Sequence, residues 1–357
     1  MNSRHVVDRF AAGRESGEPM VLVTVYETLG STYSKAGTRM LITAGGASEG
    51  LVSGGCLEGD LAERARKVLE SNAAMAVTYD LRDEADELFG LGIGCNGLIS
   101  VLLQPLTPAN GYEPMASIAD VLLGERIGAL ATVVTSQLDE PVPGAAVVVI
   151  GGETRAFGLP DAIAAVLAQG SASAIERGRA SLAAESEGFT ALYAPLVPVP
   201  RVLILGAGLD AVPLVNVIAE LGWRVAIADH RPGYLARPAF ARAETKHAIR
   251  PDALASELAL ANFDAIVVMS HHLATDREYL RQLAETDVAY LGLLGPPARK
   301  VRLLEDLGGA PTLASRLRGP VGIDIGADGA ESIAVSIAAE IQSVLATAAG
   351  SGSRRRA

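Results

Sequence analysis

The sequence has few of the residues that mark several large classes of protein. Only 2 of its 357 residues are cysteine, too few for the disulfide framework of a small secreted protein. No uncharged apolar run reaches the roughly 18 residues that a membrane-spanning helix needs. Residues 1–18 contain several charges and no apolar core, so they do not predict a secretory signal. We therefore expect a cytoplasmic protein whose thiols are reduced.

Basic residues are also scarce. The net charge is −11, and the only basic cluster is the run of arginines at 354–356. A nucleic-acid-binding domain usually carries a basic face, so neither nucleic acid nor an anionic membrane is an expected partner. We interpret residues 347–357 as a disordered tail. Aromatic residues make up 4% of the chain, whereas glycine occurs 38 times. This composition is typical of α/β proteins with aliphatic cores.

The strongest predicted domain boundary is a proline-rich stretch that contains Pro195, Pro198 and Pro200. Proline has no backbone N–H, so this stretch predicts an extended connector. After it, apolar runs that end in glycine or a polar residue alternate with helical patterns over residues 200–346. This alternation predicts a Rossmann-like, doubly wound parallel sheet. The predicted strands lie in RVLILGAG, WRVAIADH, DAIVVMS and VAYLGLLG.

Residues 1–196 predict an α+β N-terminal domain with strands in MVLVTVYET, TRMLITAGG and LISVLLQPL and a main helix in CLEGDLAERARKVLES. A weak internal similarity relates residues 20–60 to residues 128–162. It aligns Thr24 with Thr132, Gly37 with Gly144, and Gly50 with Gly158, and we interpret it as a duplicated β unit. The second copy has no Ser-Gly-Gly-Cys segment, which indicates that the scaffold does not need this cysteine.

A glycine-rich segment, GAGLDA, follows the first strand of the predicted Rossmann domain and begins a helix. Gly206 suits a tight turn, Gly208 lets the backbone approach a pyrophosphate, and Ala211 lets helix and strand pack closely. The helix N-terminus adds amide donors for a phosphate. Asp229 ends the next strand, where a carboxylate can accept from a ribose hydroxyl. The alternative is a scaffold that binds nothing, and the negative charge of Asp210 favours it for a dinucleotide.

Both cysteines lie in glycine-rich loops. Cys56 follows Gly54 and Gly55 and precedes the main helix, so backbone amides could form an anion-binding nest beside a thiol whose pKa a helix N-terminus lowers. Cys95 follows Gly94 in GLGIGCNGL, and the two cysteines suggest one shared pocket. The alternative is that each is a small buried apolar residue. Neither has the spacing of a zinc site.

Further polar residues are predicted at the carboxyl edge of the same sheet. His271, in MSHH at the end of the third strand, is a candidate general acid or base, with a surface or capping role as the alternative. Asp276 follows on the next helix. Arg299 and Lys300 follow the fourth strand and suggest an anion-binding edge, with a solvated helix start as the alternative.

Taken together, these motifs resemble the XdhC/CoxI family over residues from about 20 to 345. The resemblance implies accessory chaperones of xanthine dehydrogenase and related molybdenum hydroxylases, not catalysts. Such proteins bind molybdenum cofactor, promote its sulfuration with a cysteine desulfurase, and deliver it to the apo-hydroxylase. The segments that carry the resemblance are GSTYSKAGTRML, GLVSGGCLEGDL, GIGCNGLISVLLQPL, RVLILGAG, GWRVAIADHRP, VMSHHLATDREYL, YLGLLGPPARK and GIDIGADGAESIAVSIAAEI.

The resemblance also assigns roles to particular residues. Cys56, within SGGC, becomes the leading ligand for the cofactor and its metal, and Cys95 matches the second cysteine position. Our hypothesis places Gly206, Gly208 and Asp229 near the phosphate of molybdopterin or the nucleotide end of its cytosine dinucleotide form. Gly54, Gly55 and His271 are further candidate cofactor-binding residues.

This chain departs from the family pattern at two places. It has TYS after Gly30 and Ser31, where the family often has Ser-Pro-Arg, and LDA after GAG, where many members have His-Val-Gly. Further hypotheses stay open on the sequence. One is that the chain forms a homodimer. Two alternative functions are an NAD(P)-dependent oxidoreductase with His271 as acid or base, and a regulatory module that only senses nucleotide.

Overall fold

The computed structural model describes residues 3–80, 97–185 and 188–350. The chain divides into two compact units, and the division falls between Pro198 and Val199. In the described part of the chain, each helix is either too short or too polar to span a bilayer.

The first unit contains two five-stranded antiparallel sheets. The first sheet and its helices are α1 (Ser3–Glu15), β1 (Met20–Gly30), β2 (Arg39–Thr43), β3 (Ser48–Glu49), α2 (Glu58–Ser71), β4 (Met75–Asp80) and β5 (Gly97–Leu106). The second sheet and its helices are α3 (Met115–Leu123), β6 (Gly128–Ser136), β7 (Ala146–Ile150), β8 (Glu153–Phe157), α4 (Asp161–Arg177), β9 (Ser181–Ala184) and β10 (Phe189–Leu196).

The alternation of apolar residues explains how the first sheet and α2 pack. Successive side chains of a strand point to opposite faces, so Val21, Val23 and Val25 of β1 lie on one face. They belong to a buried cluster that also contains Leu61 and Val68 from one side of α2. The predicted helix is thus confirmed, but it begins at Glu58, so Cys56 lies in the loop before it.

The two sheets share one topology. Their strand orders, β3-β2-β1-β5-β4 and β8-β7-β6-β10-β9, match element for element. In the first sheet Val25 N–H donates to Thr38 O and Gly37 N–H donates to Val25 O. The second sheet repeats this pattern, because Val133 N–H donates to Ala145 O and Gly144 N–H donates to Val133 O.

The aligned glycines also lie where the two sheets meet. A Cβ at Gly37 would lie 3.1 Å from Ala180, and a Cβ at Gly144 would lie 2.8 Å from Ala74. Ala74 and Ala180 precede the matching strands β4 and β9, so the contacts are reciprocal. Both glycines have positive φ values, +88° and +95°, and a side chain at either would be strained as well as crowded.

The second unit is built on a six-stranded parallel sheet of order β13-β12-β11-β14-β15-β16, which confirms the predicted Rossmann-like fold. Its strands are β11 (Arg201–Leu205), β12 (Arg224–Asp229), β13 (Thr245–Ala248), β14 (Ala265–Val268), β15 (Tyr290–Leu293) and β16 (Leu317–Arg318). Its helices are α5 (Ala211–Glu220), α6 (Pro232–Leu235), α7 (Leu254–Glu257), α8 (Leu273–Leu283), α9 (Pro297–Asp306), α10 (Pro311–Arg316) and α11 (Ala330–Gly350). Short 3-10 turns occur at Pro108–Asn110, Pro238–Phe240, Pro251–Ala253 and Leu260–Asn262.

Helices cover both faces of the parallel sheet. Val202 and Ile204 of β11 pack on the side of α5 and α11, whereas Leu203 and Leu205 pack on the side of α7 to α10. A strand that is buried on both faces has a continuous apolar sequence, which is why the four central strands could be predicted. Because all six strands are parallel, the segments that follow β11, β12, β14 and β15 meet at one edge.

Candidate functional site

Ser53 organises the loop that carries Cys56. Its Oγ accepts hydrogen bonds from the backbone N–H groups of Gly55, Cys56 and Leu57 at 3.3, 3.2 and 3.1 Å. The same hydroxyl donates to Glu58 Oε2 at 2.5 Å, and Glu58 Oε1 accepts from the Ser53 N–H at 3.2 Å. The turn therefore collects three backbone donors, and within the loop they bond to Ser53 Oγ and, for Leu57, also to Glu58 Oε2.

The Cys56 loop presents bare backbone around a partly exposed thiol. Cys56 is a free cysteine, and a Cβ added at Gly54, Gly55 or Gly59 would meet no atom of the described residues within 4 Å. Gly55 has φ +109° and needs glycine for its conformation. Gly54 does not have a positive φ, and no atom of the described residues lies near the position of its Cβ. Nothing in the described fold therefore requires glycine at position 54. A bulky group could reach both the sulfur and the adjacent main chain.

The matching position of the second sheet has a shorter connection. Residues 51–57 link Gly50 to α2, whereas only Leu159 and Pro160 link Gly158 to α4. The glycines themselves adopt similar conformations, with φ +92° and +65°. The loop that carries Cys56 is thus longer than the matching connection of the second sheet, although the two sheets have the same topology. The second predicted cysteine, Cys95, lies outside the described residues.

In the second unit, Gly206 makes a turn that no other residue could make. Its φ is +123°, and a Cβ there would lie 2.5 Å from the carbonyl oxygen of Met269. The glycine turn that follows β11 therefore packs directly against the backbone at the end of β14. The structural requirement for Gly206 is accounted for within the fold.

Asp229, predicted to accept from a ribose, has its carboxylate engaged inside the protein. The side chain is buried, and its Oδ2 accepts from the Ala207 N–H at 2.8 Å. Arg231 donates from Nε to Oδ1 and from Nη2 to Oδ2, both at 2.9 Å, and its own N–H also donates to Oδ1. Burial alone would raise the pKa of Asp229, but the hydrogen bonds from Arg231 and Ala207 outweigh it and lower the pKa. Asp229 thus fixes the glycine turn to the end of β12.

The side chains of His271 and Asp210 form a pair next to Gly208. His271 Nε2 lies 2.6 Å from Asp210 Oδ2, and a Cβ added at Gly208 would collide with Asp210 Oδ1. His271 has φ +62°, an uncommon conformation for a residue with a side chain. The structure therefore places His271 beside the glycine turn, as predicted, and pairs it with a carboxylate from the start of α5.

At the predicted anion-binding edge, Arg299 and Lys300 both donate hydrogen bonds to other residues of the chain. Arg299 donates to the buried carboxylate of Asp276 at 2.5 and 3.1 Å, and Lys300 Nζ donates to Leu317 O at 2.6 Å. Asp276 also accepts from Ser270, which precedes His271. These contacts brace the loops that surround the glycine turn.

Two arginines add positive charge at the end of β12. The guanidinium groups of Arg231 and Arg237 lie 3.8 and 4.0 Å from the ring centroid of Tyr234. Arg231 lies two positions after Asp229, so the sequence reveals a cation there that leaves a 2′-phosphate as an open ligand. Arg237 was missed, because its stacking on Tyr234 depends on the local path of the chain around α6.

Comparisons with known proteins agree over nearly the whole chain. Residues 202–341 match the model of the XdhC Rossmann domain, and residues 13–80 match that of the XdhC and CoxI family. A probable xanthine dehydrogenase subunit from Bacillus subtilis is 33% identical, over 92% of this chain and 93% of its own length. The molybdenum cofactor insertion chaperone PaoD of Escherichia coli is 24% identical, over 92% of this chain and 84% of its own.

A solved structure is similar as well. A crystal structure of a xanthine dehydrogenase from Bacillus halodurans superposes with a TM-score of 0.78 at 28% identity, covering 97% of this chain and 96% of that one. Both structural units of the chain thus have counterparts in a single known protein.

Proposed function

The chain belongs to the XdhC and CoxI family, and from this premise we propose that it is an accessory chaperone that binds molybdenum cofactor. It would assist sulfuration of the cofactor, with a cysteine desulfurase as partner, and its insertion into a xanthine dehydrogenase-type hydroxylase. The similarity to a relative named as a molybdenum cofactor insertion chaperone supports this role. The observation that carries the proposal is the Cys56 loop.

Cys56 suits the metal end of the cofactor. Thiolate is a soft ligand of the kind that sulfur-rich metal centres accept, and this thiol is partly exposed. Among the described residues, no atom lies within 4 Å of a Cβ built at Gly54 or Gly55, so their bare backbone is open to a large group beside the thiol. When bound, the cofactor would supply a molybdenum centre held through dithiolene sulfur. The protein's part is to offer the Cys56 sulfur, while Ser53 and Glu58 hold the shape of the loop.

The glycine turn of the second unit is the proposed second contact surface. Gly206, Gly208 and His271 border the carboxyl edge, where open parallel sheets bind their ligands. Asp229 would act indirectly, because its carboxylate is already bonded to Ala207 and Arg231. The NAD(P)-dependent alternative has less support, since the Asp210 carboxylate lies over Gly208, where a pyrophosphate would approach the backbone.

We also propose that the first unit is a duplicated β unit whose first copy acquired the cysteine loop. The shared strand order and the matching hydrogen bonds of Gly37 and Gly144 support this origin. The two copies extend further than the sequence similarity, to Leu106 and Leu196 respectively. Homodimer formation stays a separate proposal, which the mass of the purified chain in solution would test.

Cofactor loading tests the proposed function. We expect the full chain, purified from cells that make the cofactor, to carry molybdenum and pterin and to activate a separate apo-hydroxylase. Cys56→Ala should lower both metal and pterin by about tenfold or more, as loss of a metal ligand or its partner usually does. Metal analysis and the fluorescence of oxidised pterin measure the loading.

Two glycine variants serve as matched partners in this experiment. Gly54→Ala adds a methyl group that touches none of the described residues, so it should fold normally and lose cofactor only if the cofactor approaches that backbone. Gly59→Ala adds a similarly free methyl group on α2 and should load like the wild type. Unchanged loading of Cys56→Ala would exclude Cys56 as the ligand.

A further inference from the structure

The glycine turn of the second unit already holds a carboxylate. Asp210 Oδ1 covers the face of Gly208, and its Oδ2 is held by His271 Nε2 at 2.6 Å. Asp210 is the residue before α5, but its side chain accepts no capping hydrogen bond from the first turn of that helix. A phosphate in this turn would meet a negative charge at the position where a dinucleotide fold offers bare backbone.

Part of the Asp210 carboxylate is free to bind a ligand. An ionised carboxylate has about four acceptor sites, and in the described part of the chain His271 is its only hydrogen-bond partner. The Asp210 side chain is 30% exposed, so Oδ1 is within reach of a ligand. This arrangement suits a group that donates hydrogen bonds and carries no negative charge at this end.

An exposed apolar residue neighbours Asp210 in the sequence. Leu209, between Gly208 and Asp210, is 69% exposed, the largest fraction among the exposed large apolar side chains of the described residues. A flat heterocycle with two neighbouring N–H donors could use both residues, with its ring on Leu209 and its donor edge toward Asp210.

We propose that Asp210, positioned by His271, recognises the aminopyrimidinone edge of a pterin. This edge carries a ring N–H next to an exocyclic amino group, and a carboxylate can accept from both, in the way it accepts from a guanidinium. The proposal rests on the proposed function, since it names the part of the cofactor that the second unit reads. The sequence led us to expect the phosphate end of the cofactor at Gly206 and Gly208. In this proposal the pterin lies there instead.

The test compares two small probes on the full chain. The first is 6-hydroxymethylpterin, and the second is the analogue with an oxo group in place of the amino group, which lacks the donor pair. Titration calorimetry should show that the wild type prefers the pterin by about tenfold or more, the usual effect of a charge-assisted hydrogen bond. Asp210→Asn should remove this preference.

A matched variant separates local recognition from overall charge. Glu285→Gln also removes one carboxylate, but Glu285 follows the C-terminal end of α8, away from the carboxyl edge. It should keep the wild-type preference. An equal preference in Asp210→Asn and wild type overturns the assignment, as does tight binding of NADH by the wild type.

The outcomes distinguish this inference from the proposed function. If the wild type carries molybdenum and activates an apo-hydroxylase while Asp210→Asn keeps its pterin preference, only the role of Asp210 is wrong. If the wild type binds neither pterin nor molybdenum, the chaperone proposal fails together with it.

Discussion

Asp229 offers a quantitative test of how the second unit is held together. Asp229→Asn keeps the shape of the side chain and one acceptor for the Ala207 N–H, but it removes the charge that binds Arg231. Breaking a buried, hydrogen-bonded ion pair costs about 3–5 kcal/mol. Because Arg231 is partly exposed and can regain water, we expect the lower value, about 3 kcal/mol.

The single tryptophan of the chain makes this change measurable. Trp223 precedes β12 and packs against the core on the α5 side of the sheet, so its fluorescence reports unfolding of the second unit. With a urea m-value of about 2–3 kcal/mol/M, the midpoint should fall by about 1 M. Asp252→Asn breaks an exposed ion pair with Arg250 in the same unit and should leave the midpoint unchanged. A shift for Asp229→Asn no larger than for Asp252→Asn would refute the reasoning.

The effect should also depend on pH with a defined sign. The pKa of Asp229 is lower in the folded protein than in the unfolded chain, where it is about 3.9. The carboxylate therefore stabilises the fold above that pH, and the contribution is lost as pH falls through the folded pKa. The difference between wild type and Asp229→Asn should be full at pH 7 and shrink below about pH 4. An unchanged difference under acid conditions would contradict the ion-pair explanation.

Two glycine substitutions test the backbone contacts. Gly206→Ala should destabilise the second unit by more than about 3 kcal/mol, measured by Trp223 fluorescence in urea, because strain at φ +123° adds to a collision with the Met269 carbonyl; a loss below about 1 kcal/mol would contradict this. Gly144→Ala should lower the thermal midpoint of the first unit, followed by circular dichroism, more than Gly152→Ala does. Both have strongly positive φ, but among the described residues only Gly144 has an atom close to the position of an added Cβ. Equal losses would therefore exclude a steric role for the contact between the sheets.

The central strands of the second unit could be predicted because burial on both faces gives each of them a continuous apolar sequence. β11, β12, β14 and β15 are apolar runs since both faces of the sheet are covered. The edge strands β13, with the sequence TKHA, and β16, with two residues, have no such run. They form because a neighbouring strand offers free backbone groups, which local sequence does not reveal.

In the first unit, too, the sequence predicted some strands but not how they come together. The sequence revealed β1, β2, β5 and the similarity that aligns Gly37 with Gly144. It did not reveal that two complete sheets of equal topology meet through the alanines before β4 and β9. The contact of Gly37 with Ala180 joins residues 143 positions apart, and that of Gly144 with Ala74 joins residues 70 positions apart. Loop composition alone does not determine which segments meet.

For the candidate sites, the sequence by itself determined which chemical groups are present and roughly where the strands end. It placed Cys56 before a helix and Gly206, Asp229 and His271 at one sheet edge. Only the folded structure decided the partners: Ser53 for the loop amides, Arg231 for Asp229, and His271 for Asp210. A carboxylate can bond to any donor within about 3 Å. The first two choices depend on the local path of the backbone, whereas Asp210 and His271, 61 residues apart, meet because β11 and β14 are neighbours in the sheet.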